Sequence, residues 1–177
     1  MTDINVLVVF HSRTGRTEKL ALTAAVGAVQ AKANIRLRWL REAADDAAIE
    51  SAPEWKENRQ RMEKEYIAPR EVDAAWADAI IIGTSGSPPE LQDYLASLGV
   101  LGSAGKLEGK VGAALSSASI RASAAHEKNG ALLAALAQLG FIVVPPGSQS
   151  EALERARLQG RRITEVARAL KGAGLAG

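Results

Sequence analysis

The chain predicts an α/β fold: a parallel β-sheet of five strands with helices on both faces. Three observations carry this. Val6–Phe10 and Ala79–Thr84 are short, continuous apolar runs rich in branched residues, as strands buried on both sides require. Between such runs the apolar residues return at helical spacing, as in Leu132, Leu133, Leu136 and Leu139. Strand and helix patterns alternate along the whole chain. No internal repeat and no linker interrupts them, so residues 1–177 are expected to form one domain.

In chain order, the first strand is Ile4–Phe10 and the first helix runs from about Gly15 to Ala31. Between them lies HSRTGRT, whose hydroxyls surround Gly15. A strand, a small polar turn and a helix start together make an anion site. The helix end offers unpaired N–H groups and about half a positive charge. Asn34–Leu40 alternates Ile35, Leu37 and Trp39 against Arg36 and Arg38, which predicts an edge strand with one polar face. Arg41–Asp73 is charged and irregular, with one helix expected over Ala52–Tyr66. Ser51 and Glu54 have capping-box spacing there, and Trp55, Met62 and Tyr66 form an apolar stripe expected to pack on the sheet.

Ala79–Thr84 is the third strand. Ser87 is expected to cap the next helix, with Pro88 at its first position and Glu90 completing the box, and that helix to run to about Leu98. Gly99–Gly109 is a connection and Lys110–Leu115 the fourth strand. A helix through Leu132–Leu139 stops at Gly140, and Phe141–Val144 is the fifth strand. Ser148 and Glu151 then open a last helix whose apolar face is Leu153, Ala156, Ile163, Val166 and Leu170, with a frayed tail after Lys171.

Composition narrows the function. A hydrophobic fraction of 47% is that of a folded domain, and no apolar run is long enough to span a membrane. With no cysteine and two histidines, His11 and His126, outside any ligand spacing, no metal site is expected. Asp3 and an opening run of only strand length argue against a signal peptide, so a cytoplasmic location is expected. The net charge of +2 is diffuse. Arg155, Arg157, Arg161, Arg162 and Arg168 gather in the last helix, where a solvated face is expected in preference to nucleic-acid contact.

In an open α/β sheet ligands bind beyond the carboxyl ends of the strands. Three polar loops lie there: His11–Thr17, Ser85–Glu90 and Ser116–Arg121. The first offers backbone amides and hydroxyls to a phosphate. The other reading of Ser12, Thr14 and Gly15 is that they only start the helix. Arg13 and Arg16 either add charge or point to solvent. His11 either meets the ligand or packs.

The motif SRTGRT resembles the phosphate loop of flavodoxins. The series VLVVFHSRTGRTEKLA, WADAIIIGTS, GKLEGKVGAALSSAS, LAQLGFIVVPPG and ARLQGRRITEVARAL is collinear with the flavodoxin-like NAD(P)H:quinone oxidoreductases of the WrbA type. The resemblance implies a flavodoxin-like three-layer sandwich with strand order 2-1-3-4-5. It implies FMN as cofactor, with NAD(P)H and a quinone as substrates. By position, Ser12, Arg13, Thr14, Gly15, Arg16 and Thr17 would wrap the FMN phosphate. Thr84, Ser85, Gly86 and Ser87, with Ser116, Ser117, Ala118 and Ser119, would line the ring. No side chain is implied as acid or base, because the flavin carries the chemistry. A homo-oligomer, dimer or tetramer, is implied too.

The chain departs from the family in its ring loops. GTSGSPPE stands where the family has an arginine, an aromatic and a glycine, and SSASIRASAA lacks the family's glycines. Gln138–Leu139–Gly140 replaces a His–His–Gly, and the loop after strand five is short. An electron carrier is disfavoured by the basic charge. The alternative to the enzyme is a flavodoxin-like protein that binds no FMN and serves as a phosphate-ligand or protein-interaction module.

Overall fold

The computed structural model of the protein describes residues 2–116, 122–148 and 151–175. Five parallel strands form one sheet in the order β2-β1-β3-β4-β5. They are β1 (Ile4–Phe10), β2 (Ala33–Trp39), β3 (Ala79–Thr84), β4 (Val111–Ser116) and β5 (Ile142–Val143). The helices are α1 (Arg16–Gln30), α2 (Asp46–Glu50), α3 (Pro53–Glu65), α4 (Glu71–Trp76), α5 (Pro89–Ser103), α6 (Ala122–Gln138) and α7 (Ala152–Gly172).

Strand alternation sorts the core into two layers. Val6, Val8, Phe10 and Ile81 meet Ala21, Ala24 and Ala28 of α1 and Ile163 and Ala167 of α7. Leu7, Val9, Ile80 and Ile82 meet Leu91, Leu98 and Leu101 of α5 and Leu132 and Leu136 of α6. Helices therefore cover both faces, and the sheet and its order are as expected.

The layer of α1 and α7 is unusually close. A Cβ on Gly160 would stand 1.8 Å from the Ala24 carbonyl oxygen, and one on Gly27 1.9 Å from that of Arg157. Only glycine lets the two backbones touch there. Arg168 adds a polar tie by donating to the carbonyl of Ala31 just past α1, at 2.6 Å. Two more of the helix arginines are occupied at the surface: Arg157 on Glu154 and Gln30, Arg161 on Glu165. Leu153, expected on the inner face, is 37% exposed.

Three helix starts differ from expectation, two of them for one reason. The residue before a proline is driven out of the helical region. Pro88 precedes Pro89, adopts ψ 154° and becomes the cap position, so α5 starts at Pro89 and Ser87 lies outside it. Ala52 precedes Pro53, so α3 starts at Pro53; Ser51 instead donates to the Ala48 carbonyl at 2.8 Å and closes α2. At α7, Glu151 occupies the cap position without a side-chain bond to the helix. α2 and α4 arise within the stretch read as irregular. Asp45 caps α2 through Ala47 N at 3.2 Å. α4 brings Asp73, fully buried, against Arg36 and Arg38 on the polar face of β2.

Candidate functional site

Strand register sets the carboxyl ends of β1, β3 and β4 side by side. Phe10 pairs with Gly83, and Thr84 with Ser116, so these strands end at one level. His11 N continues the ladder by donating to Gly83 O at 2.9 Å. A Cβ on Gly83 would lie 3.2 Å from Thr17 Cγ2, a tight contact, so the first turn of α1 packs closely on β3 here.

The turn from Ser12 to Thr17 is built around Gly15. Its φ of 82° is left-handed, which glycine alone adopts without strain. The turn is held by Ser12, whose Oγ accepts from Gly15 N at 3.1 Å. Gly15 occupies the cap position of α1 and supplies no side-chain cap itself. Thr14 and Arg16 are exposed and Gly15 is half-exposed. The start of α1 behind them carries the partial positive charge of a helix N-terminus.

Side chains around the loop refine the sequence reading. Arg13 does not stand free. Its Nε lies 2.9 and 3.0 Å from the two Glu42 oxygens, its Nη2 also donates to Glu42, and its guanidinium carbon is 4.6 Å from the Trp55 ring centroid. Trp55, expected to pack on the sheet, instead lies half-exposed beneath Arg13. Met62 and Tyr66 of the same stripe do reach the core, Tyr66 with its ring edge-on to Phe10 at 5.0 Å.

His11 is 3% exposed, and its Nε2 stands 3.6 Å from Glu42 Oε2, beyond hydrogen-bond range. Neither ring nitrogen has a hydrogen-bond partner among the described residues. Burial lowers its pKa below the ordinary 6.5, against the pull of Glu42 and Glu90. His11 is therefore a packed, neutral side chain. Glu90, expected as a helix-capping residue, instead accepts from Ala43 N at 2.7 Å and joins the loop after β2 to α5.

On the other flank Glu18 is buried in the first turn of α1. Arg61 of α3 donates to both of its oxygens, and Tyr66 Oη donates to Oε1 at 2.8 Å. Burial would raise the Glu18 pKa, but these bonds outweigh it and hold the carboxyl ionised below its ordinary range. Sequence reasoning missed Glu18, Glu42 and Arg61. A glutamate three residues past the loop glycine was the available signal for the first; the others come from a segment without periodicity.

The second loop closes on itself. Thr84 Oγ1 donates to Gly86 O at 2.7 Å and accepts from Gly86 N at 3.1 Å. Ser85 and Ser87 are exposed and Gly86 is half-exposed. Ser116 ends β4, half-buried, at the same level. Ser117, Ala118 and Ser119 lie outside the described residues.

Comparison with known proteins agrees with this architecture. The WrbA-like flavodoxin from Agrobacterium tumefaciens superposes with a TM-score of 0.65 at 22% identity, covering 94% of this chain and 98% of that one. The two-electron reduced flavodoxin of Megasphaera elsdenii gives 0.59 at 15% identity, over 90% and 98%. The protein is a flavodoxin-like α/β protein. No protein-family model matches it.

Sequence similarity is more particular. The chain is 29% identical over 154 residues to the NAD(P)H dehydrogenase (quinone) of Deinococcus radiodurans, covering 85% of this chain and 76% of that protein. It is 28% identical over 188 aligned positions to the NAD(P)H dehydrogenase (quinone) of Archaeoglobus fulgidus, covering 93% and 98%. It is thus a divergent flavodoxin-like relative of proteins bearing that name.

Proposed function

We propose that the protein binds FMN and reduces quinones with NAD(P)H. The observation that carries this reading is the start of α1 behind the left-handed Gly15, set level with the Thr84–Ser87 loop at the sheet's carboxyl edge. The likeness to two proteins named NAD(P)H dehydrogenase (quinone) supports the activity.

In this reading Ser12, Thr14, Gly15, Arg16 and Thr17 hold the phosphate through backbone amides and hydroxyls. Arg16 supplies the free charge, and Arg13 braces the loop through Glu42. Gly86 and the serines on either side of it offer backbone groups to one edge of the ring, and Ser116 ends the neighbouring strand. FMN, when bound, supplies two-electron transfer between NAD(P)H and quinone. The chain's own task is to bind and orient it and to leave one face accessible. His11, neutral and packed away, takes no proton in this scheme. In the same reading the protein works as a homo-oligomer.

Titration with FMN, followed by quenching of flavin fluorescence, tests the cofactor. Oxidation of NADH or NADPH with benzoquinone tests the reaction. Saturable quenching and quinone-dependent oxidation are expected. A protein that leaves flavin fluorescence unchanged overturns the reading and favours a phosphate-ligand or protein-interaction module.

A further inference from the structure

The outer edge of β2 is only half closed. Even-numbered residues of β2 turn their backbone groups to β1, as Leu40 N just past the strand does in donating to Phe10 O at 2.8 Å. Odd-numbered residues therefore turn theirs outward. At the upper end Trp39 N donates to Ile67 O at 3.1 Å, and Leu37 O accepts from Arg38 Nη1 at 2.8 Å. Lower down, Ala33 and Ile35 have no outward backbone partner among the described residues. Charge does not guard them either, because Arg36 and Arg38 alternate to the opposite face, where Asp73 holds both.

The flank of α1 beside this open stretch is apolar. Glu18, Leu22, Val26 and Val29 recur at helical spacing and form one stripe. Ala24 and Gly27 meet α7, so helix geometry turns the stripe away from α7, toward the edge of the sheet. α3 covers its first member, through Arg61 and Tyr66 on Glu18. Beyond that cover Leu22, Val26 and Val29 are 39%, 51% and 50% exposed. On the same face Ala33, Ile35 and Leu37 are only partly buried against the core layer of α1. An open strand edge and an apolar helix stripe thus share one side of the molecule. A partner that serves both must bring a strand with an apolar helix beside it. A second copy of this chain brings the two at matching offset, as a self-complementary patch does.

We propose that two copies pair antiparallel through Ala33–Ile35, across a two-fold axis at Asn34. Ala33 of each copy exchanges N–H and C=O bonds with Ile35 of the other. The two sheets become one, and the Leu22, Val26 and Val29 stripes of the two α1 helices close on each other over the joint. This rests on the homo-oligomer reading, whose surface it names, and not on FMN.

The test uses the full chain, which has no cysteine of its own. The wild type is expected to sediment as a dimer, and its Ile35 amide to exchange more slowly as concentration rises. Across the axis the two Asn34 positions form a non-hydrogen-bonded pair, with Cβ atoms about 4.5–5.5 Å apart. Asn34→Cys is therefore expected to oxidise to a disulfide-linked dimer, and Val100→Cys, at a position 66% exposed on α5, is not. Val26→Glu sets a charge on the stripe and is expected to weaken dimerisation at least tenfold, with circular dichroism and flavin quenching as in the wild type.

A wild-type dimer that Val26→Glu leaves intact, or whose Asn34→Cys form links no better than Val100→Cys, assembles through another surface. That result overturns the proposal and keeps the homo-oligomer. A monomeric wild type overturns both and leaves the edge to a strand from another protein. If Val26→Glu does not fold, the two cysteine variants and the Ile35 amide decide, and equal linking or an exchange rate independent of concentration overturns the proposal.

Discussion

Substituting Gly160 by alanine sets two physical effects against each other. Gly160 lies inside α7, where alanine is favoured by about 1 kcal/mol on helix propensity. Its backbone, however, touches α1. The added Cβ would stand 1.8 Å from the Ala24 oxygen and 2.7 Å from its carbonyl carbon. A carbon–oxygen contact is ordinarily about 3.3 Å or longer, so the helices must part by more than about 1 Å. The atom met is backbone within a helix and cannot swing aside. Parting also loosens Ala156, Ile163 and Ala167, which are all but fully buried against the sheet.

Overpacking typically costs about 1–3 kcal/mol, and an unyielding neighbour puts this site at the upper end. After the propensity gain the net loss is about 2 kcal/mol. For a chain of this size that lowers Tm by roughly 4–8 °C. Urea unfolding followed by circular dichroism should show a lower midpoint at unchanged slope. Gly27→Ala, which meets Arg157 O at 1.9 Å, should behave alike, and the two should cost less together than their sum, because they part the same helices. A Gly160→Ala protein as stable as the wild type, or more so, would show that propensity governs and that the crossing yields.

Other outcomes follow from groups around the site. His11 has a folded pKa below the unfolded 6.5, so the stability linked to its neutral form is present above that value and is lost as pH falls through the folded one. An NMR titration should find its midpoint below 6.5; one at or above it contradicts a buried neutral imidazole. Glu18 is likewise depressed below its ordinary 4.5, so its contribution is full above that pH and declines under acid, and Arg61→Ala should flatten that decline in pH-dependent unfolding. Removing Asp73 leaves Arg36 and Arg38 without their buried partner and should cost about 3 kcal/mol in urea unfolding, with no loss meaning that solvent serves the arginines equally well. Gly15→Ala forces a side chain to φ 82° and should cost about 1–2 kcal/mol in stability while weakening FMN; an unchanged FMN affinity would detach the loop from the ligand.

The central strands were legible because burial on both sides leaves an unbroken apolar signature, as in AIIIGT. The edge strand was legible because Arg36 and Arg38 keep one face polar. The glycine turn was legible because its hydroxyls and its helix follow directly in sequence. What lies around that turn was not. Trp55 sits at helical offset from Met62, and periodicity alone cannot show that its ring lies beneath Arg13 instead of in the core. Glu42 and Arg61 act across the chain, so no local pattern marks them. The capping boxes at Ser51 and Ser87 had the right spacing, but the proline that follows each moved the helix start. Nothing in the sequence marks Gly27 and Gly160, because what they meet is the backbone of a helix distant in the chain.

The contact between α1 and α7 also orders events in time. α1 leaves the ribosome well before α7, which follows only after β3, β4 and β5. At about 5–20 residues per second, on the order of ten seconds separates them. Throughout that interval the glycine-paired face of α1 has nothing to close against. The nascent chain can align its strands but must hold an open seam along one side. A newly made molecule is therefore exposed to proteases and to neighbouring chains longest at the layer built by α1 and α7.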